Sequence, residues 1–274
     1  MPDINGLKNT AKQLRIDTLE MIHGVKTGHI GGSYSAAEMI TALYFYKMKF
    51  DPKNPSWEER DRFVLSKGHS APILYAALAR NGFFEMDELM RLRQIDSHLQ
   101  GAPKMKTPGI DMSAGPLGQG LSAAVGMALA GKSMHRDYNV YCMIGDGEMQ
   151  EGQIWEAAMT AAKYKLENLI LILDHNKVQM SGTNDEIMPV GDVAAKFASF
   201  GFHIITIDGN CMEQVVAALD EATSAHKGKP VAIISETVKG KGVSFMEGKA
   251  IWHGKAPNDE EYKIALAELE RGLD

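Results

Sequence analysis

The chain has 274 residues, of which 45% are hydrophobic and 23% charged, which is ordinary globular composition. Its net charge of -6 and its scattered basic residues leave no electrostatic footprint for nucleic acid. Two widely spaced cysteines, Cys142 and Cys211, exclude a disulfide framework and suit a reducing cytoplasm.

In chain order, the N-terminus shows no apolar signal region, and the longest apolar run, Leu169 to Leu173, has strand length and is too short to cross a bilayer. The spacing of Leu7, Leu14, Leu19 and Ile22 predicts an amphipathic helix over 7–27. A Gly-rich polar run from Gly28 to Ser35 ends it, and 36–47 resumes a helical pattern. Phe63 to Leu65 reads as a short strand running into Ser66-Lys67-Gly68-His69, and 71–81 as a helix. No period holds over 95–120, where Pro103, Pro108, Pro116 and several glycines predict an ordered, functional loop region.

From Leu121 onward strands and helices alternate. Helices are expected at 121–133, 152–165, 192–200 and 212–226, and strands at 140–144, 169–173, 203–207 and 231–234. That alternation predicts an α/β fold, a mainly parallel sheet with helices on both faces, in one domain spanning 1–274 with long terminal attachments.

The strand Val140 to Ile144 runs directly into Gly145-Asp146-Gly147-Glu148. Parallel sheets of this kind bind ligands beyond the carboxyl ends of their strands. The glycines expose backbone N–H groups, and the following helix N-terminus favours phosphate charge. The next strand ends at Asp174-His175-Asn176-Lys177, so adjacent strands bring Asp146 and Asn176 side by side. A carboxylate, an amide oxygen and a backbone carbonyl near Val178 suit Mg2+, which takes further oxygens from phosphates and water. Gly-Asp-Gly is also a common turn, and Asn often follows a strand for turn reasons alone. Their joint placement, with one helix between, favours ligand binding. Neither a P-loop nor GxGxxG follows a strand, and no HExxH or paired-Cys spacing points to zinc.

Gly145-Asp146-Gly147 with Asn176 resembles the thiamine-diphosphate motif. Gly28-His29-Ile30-Gly31-Gly32, Ser66-Lys67-Gly68-His69, Gly115 to Gly120, Gln150-Glu151-Gly152 and Trp252 to Pro257 resemble, in order, segments of the transketolase family. The resemblance implies the following roles. Asp146, Asn176 and the Val178 carbonyl are metal ligands, for Mg2+ or else Ca2+ or Mn2+. The Gly147 N–H, His69 and His253 contact the diphosphate of thiamine diphosphate. The Gly115 carbonyl meets the cofactor's amino group, and Leu117 is the apolar wedge beneath it. Glu151 and Glu156 are acids at a subunit interface where shared protons link paired sites, Glu151 on the catalytic side and Glu156 beside the cofactor. His29 and His253 meet sugar hydroxyls and, with His69, move protons.

Two departures from the family stand out. Gly101-Ala102-Pro103 occupies the place of a family Gly-His-Pro, which implies an altered donor pocket, with His98 as a substitute. The chain also reaches only Asp274, so the family's pyrimidine-binding and C-terminal domains are expected on a partner chain, the N-terminal subunit working as two copies of each, and inactive alone. The Gly-rich loops and 17 Met residues fit a large interface, although core packing accounts for most Met equally well. The expected reaction is two-carbon ketol transfer from a ketose or ketose phosphate to an aldose. Alternatives are a deoxyxylulose-phosphate-synthase-like condensation and a non-catalytic cofactor-binding subunit. Lys239-Gly240-Lys241-Gly242 is expected to be a flexible lid or solvated turn, with phosphate contact as the alternative.

Overall fold

Five apolar runs become the strands of one parallel sheet: β1 (Arg62–Leu65), β2 (Val140–Gly145), β3 (Leu169–His175), β4 (His203–Asp208) and β5 (Val231–Glu236), in the order β1-β2-β3-β5-β4. The computed structural model describes residues 2–224, 226 and 228–272. Every residue of the central strand β3 is buried, which is why the run Leu169 to Leu173 is continuously apolar instead of alternating. Tyr141, Met143, Ile170 and Ile172 point into one core, and Val140, Cys142, Leu169 and Leu171 into the other. Each such buried aliphatic side chain contributes roughly 1.5–3 kcal/mol.

Ten α-helices lie among the described residues: α1 (Ile4–Val25), α2 (Gly31–Ser35), α3 (Ala37–Ala42), α4 (Ala71–Arg80), α5 (Gln119–Ser133), α6 (Gly152–Lys163), α7 (Asn184–Ile187), α8 (Val193–Ser199), α9 (Met212–Ala222) and α10 (Asp259–Arg271). Residues of α1, α3, α4 and α9 join the first core, and residues of α5, α6 and α8 the second. Helices therefore cover both faces, as the alternation predicts. No described helix is long and apolar enough to cross a membrane.

Several elements differ from expectation. The Gly-rich run after residue 28 holds the short helix α2, all of whose residues are buried. The helical stretch after it changes to a π turn at Leu43–Lys47. The helix expected to reach 226 stops at Ala222 and turns at Thr223 and Ser224, while Ala225 lies outside the described residues. The short α7 and the longer α10 were not expected. Each opens with a reciprocal cap, Thr183 with Glu186 and Asn258 with Glu261.

Between Leu92 and Gly118 the chain forms neither strand nor helix, as expected of a loop region. It is nonetheless anchored: Thr107 Oγ1 donates to the His98 carbonyl at 2.8 Å, and Ala114 N–H to the Pro103 carbonyl at 3.0 Å.

Candidate active site

The parallel register pairs Gly145 with Asp174, so the tips of β2 and β3 end level. Asp146 follows the last residue of β2 and Asn176 the last residue of β3. Both line a single cavity of about 330 Å³. The same walls carry His29, Lys67, His69, Gly115, Leu117, Gly147, Val178, Lys239 and His253, drawn from loops spread over most of the chain.

Asp146 is buried and held in place by three donors. Its Oδ1 accepts from Gly147 N–H at 2.8 Å, and its Oδ2 accepts from Lys177 N–H at 2.6 Å and from the Asn184 side chain at 2.9 Å. Burial and the nearby Asp174 push its carboxyl up, against these hydrogen bonds. A cation would relieve that cost. Asn176 donates its amide to Asp174 Oδ2 at 3.0 Å, and its Oδ1 accepts from Val178 N–H at 3.1 Å. The oxygen Oδ1 keeps a lone pair.

One carboxylate, one amide oxygen and one carbonyl make too sparse a set to form a protein-only cage. Among the described residues no group of three or more His, Cys, Asp or Glu side chains converges on a metal position. Such a set fits a hard divalent ion completed by phosphate oxygens. The cavity fits a diphosphate as well. Lys239 brings positive charge to its wall, and a Cβ placed on Gly115 would meet nothing within 4 Å and so would project into open space.

Lys239 corrects the expectation of a solvated turn. It is buried, and its ammonium donates to the carbonyls of Val178 at 3.0 Å and Gln179 at 3.1 Å and contacts His253 Nδ1 at 2.8 Å. Burial brings its pKa down to about 8, against the attraction of Asp146 and Asp174.

The three loop histidines form one cluster. Ring centroids lie 5.3 Å apart for His29 and His69, 5.4 Å for His29 and His253, and 4.9 Å for His69 and His253. Burial, then the charge of Lys239, takes His253 down to about 3. Burial and Lys67 hold His69 well below the ordinary imidazole range, and burial and Arg93 lower His29. All three are therefore neutral near pH 7, able to donate through one ring nitrogen and accept through the other.

Two buried carboxylates that were not expected from the sequence support this site. Asp174 accepts from Lys67 Nζ at 2.5 Å, Ser35 Oγ at 2.7 Å and Thr237 Oγ1 at 2.6 Å. Burial works against its charge, yet Lys67 and these donors hold its pKa below the usual carboxylate value. Glu148 accepts from Ser66 Oγ, from Gly118 N–H at 2.9 Å and from Gly145 N–H at 3.0 Å, tying three loops of the cavity together. A carboxylate directly after the apolar run Leu169 to Leu173, still within β3, was the available signal for Asp174, because a buried charge needs partners.

Glu151 and Glu156 stand outside the cavity, exposed at the start and on the surface of α6. His98, expected as the substitute for the family histidine, is not among the cavity-lining residues. Its Nε2 pairs with Glu88 Oε2 at 2.8 Å and its ring packs on Phe84, away from the cavity lining.

A family model described as the thiamine diphosphate binding domain of transketolase matches residues 7–273. A 6-deoxy-6-sulfo-D-fructose transketolase subunit from Clostridium sp. (strain MSTE9) is 48% identical over 97% of this chain and 96% of its own length. An apulose-4-phosphate transketolase subunit from Phocaeicola vulgatus is 40% identical over 99% of this chain and 96% of its own. The crystal structure of Campylobacter jejuni transketolase superposes with a TM-score of 0.93 at 33% identity, covering 98% of this chain. This chain spans 43% of that longer one.

Proposed function

The chain belongs to the transketolase family, as its thiamine diphosphate binding domain, and on that premise we propose that it is one subunit of a split enzyme transferring a two-carbon ketol unit from a ketose to an aldose. The observation that carries this reading is the single cavity shared by Asp146, Asn176, Val178 and the three neutral histidines. Residues 1–274 act as one diphosphate- and metal-binding domain in this proposal. The working form holds two copies of this chain and two of a partner bearing the pyrimidine-binding domain, in the cytoplasm. Two relatives of nearly the same length that are named as subunits support a partner chain.

Asp146, Asn176 and the Val178 carbonyl would hold Mg2+, Ca2+ or Mn2+, and the Gly147 N–H, His69, His253 and Lys239 would hold the diphosphate. When bound, thiamine diphosphate supplies the electron sink for the cleaved two-carbon fragment. The protein's part is positional and electrostatic. Leu117 presents an apolar face beside Gly115 at the cavity mouth, where both could fix the cofactor's orientation. His29 and His253, neutral and edge to face, each turn Nδ1 to a cationic donor, so each would present its other ring nitrogen as an N–H donor to sugar oxygens. Glu151 and Glu156, exposed here, would meet a second copy across the subunit interface. The intact donor set opposes the alternative of a chain that has lost catalysis.

With Ala102 in the donor loop, a modified hexose such as 6-deoxy-6-sulfo-D-fructose is the first donor to test, beside ordinary ketose phosphates. The experiment purifies this chain with and without its partner, adds thiamine diphosphate and Mg2+, and follows aldose-dependent ketol transfer. Transfer by the assembled enzyme and none by the chain alone is expected. No transfer from any ketose by the assembled enzyme would overturn the function, and transfer by the chain alone would overturn the split site.

A further inference from the structure

Arg93 is not among the cavity-lining residues, yet its guanidinium lies against one of them. It sits in a left-handed conformation with φ 59, and its N–H is tied to the Leu99 carbonyl at 2.8 Å. A bulky residue held in that region is strained, and such strain tends to persist where geometry serves a site.

The guanidinium is confined on three sides. Nη1 donates to Thr27 Oγ1 at 2.9 Å, and Nη2 faces His29 Nδ1 at 3.5 Å. On the third side lies Gly101, where any Cβ would stand 2.9 Å from both Nε and Nη2. The chain thus leaves room for the guanidinium at the residue just before Ala102, the position where it departs from its family.

We propose that Arg93 is a positioning residue that fixes His29 as the Nε2–H tautomer, so that the free N–H of that imidazole faces the reacting end of the cavity. This rests on the function proposed above. A guanidinium only donates and is always charged. The ring nitrogen facing it must offer a lone pair. Like-charge repulsion at that distance disfavours an imidazolium, and an Nδ1–H turned toward Arg93 would set donor against donor. The single proton of the neutral ring then resides on Nε2. That atom lies at the cavity wall 3.6 Å from the Cβ position of Gly254, and among the described residues no side chain accepts from it. Burial and the Arg93 charge both favour the neutral ring, in keeping with this assignment. His29 is thereby a hydrogen-bond donor to a substrate oxygen, and its donor atom is chosen from outside the cavity.

The test uses 15N-histidine labelling of the chain, with the His29 signals assigned by His29→Gln, and kinetics of the assembled enzyme. In the wild type His29 shows one protonated ring nitrogen, Nε2. Arg93→Met yields a mixture of both tautomers and lowers kcat about 10-fold or more, with little change in cofactor affinity. Arg93→Lys, which keeps a charge near Nδ1, restores the single tautomer and most of kcat. Thr27→Val, which removes the second anchor of the guanidinium, gives a partial mixture and serves if Arg93→Met does not fold. A pure Nε2–H tautomer retained in Arg93→Met, or in Thr27→Val where that variant stands in, overturns the proposal, as does Nδ1–H in the wild type. An assembled wild-type enzyme that transfers no ketol unit would instead defeat the proposed function, and the tautomer measurement would stand apart from it.

Discussion

The backbone N–H of Lys177 donates to Asp146 Oδ2 at 2.6 Å, so the loop leaving β3 is fastened to the carboxylate at the tip of β2. Asn176 immediately precedes that N–H, which places its amide oxygen and the Asp146 carboxylate in one cavity wall. The two oxygen donors are therefore coupled by the main chain and not merely near one another.

Lys67 and Asp174 form an ion pair with both side chains 2% exposed. Removing one partner from such a pair leaves a buried charge and costs about 3–5 kcal/mol. Lys67→Met should lower the unfolding free energy by that amount, read as a lower denaturant midpoint with an unchanged slope. A loss under about 1 kcal/mol would show that Asp174 finds another partner or becomes protonated without cost.

Glu148→Ala removes the acceptor for Ser66, Gly118 N–H and Gly145 N–H. With one buried and one half-buried backbone donor left unpaired, a loss of about 2–4 kcal/mol is expected. Amide exchange should rise at Gly118 and Gly145 before it rises in β3. Equal acceleration throughout would mean that Glu148 supports the whole fold and not this loop junction.

Leu117 is 41% exposed, so Leu117→Ala should change the stability of the chain by no more than about 0.5 kcal/mol. If it is the apolar wedge of the site, the same variant weakens thiamine diphosphate binding to the assembled enzyme about 10-fold or more. Calorimetry on both properties separates the two effects, and unchanged cofactor affinity would remove Leu117 from the site.

The histidine cluster predicts the sign of a pH effect. Burial first, and then nearby cations, lowers the folded-state pKa of His29, His69 and His253, the last to about 3. The unfolded imidazoles protonate near about 6.5, so below that pH the unfolded chain binds more protons and stability falls. The loss begins as pH drops through the unfolded value and continues toward the depressed folded ones. Denaturant midpoints across this range should decline less steeply in His69→Gln than in the wild type. Parallel slopes would show that His69 protonates normally in the fold.

The sheet was legible because a strand covered on both faces has to be apolar throughout, as in Leu169 to Leu173. That Asp146 and Asn176 share a cavity was legible only from the pair, since each alone is a common turn residue and the two follow neighbouring strands. The Gly-rich stretch before α2 obscured that helix, since its helicity comes from complete burial and not from propensity. Helix α10 carries its start signal openly in the capping pair Asn258 and Glu261, although no helix was expected there. Lys239 looked like a solvated turn residue because only the fold brings it to Val178, 61 positions away in sequence. The pairing of Lys67 with Asp174, separated by 107 residues, was hidden for the same reason.

In the proposed site Asp146 and Asn176 hold a cation that anchors a diphosphate. The decisive measurement is calorimetric binding of thiamine diphosphate to the assembled enzyme with and without Mg2+, for the wild type, Asp146→Asn and Asn176→Ala. The wild type should bind tightly only with the metal present, and each variant should lose about 100-fold or more of that metal-dependent affinity while keeping its melting temperature. Metal-independent binding by the wild type, or undiminished metal-dependent binding by Asp146→Asn, would contradict this assignment.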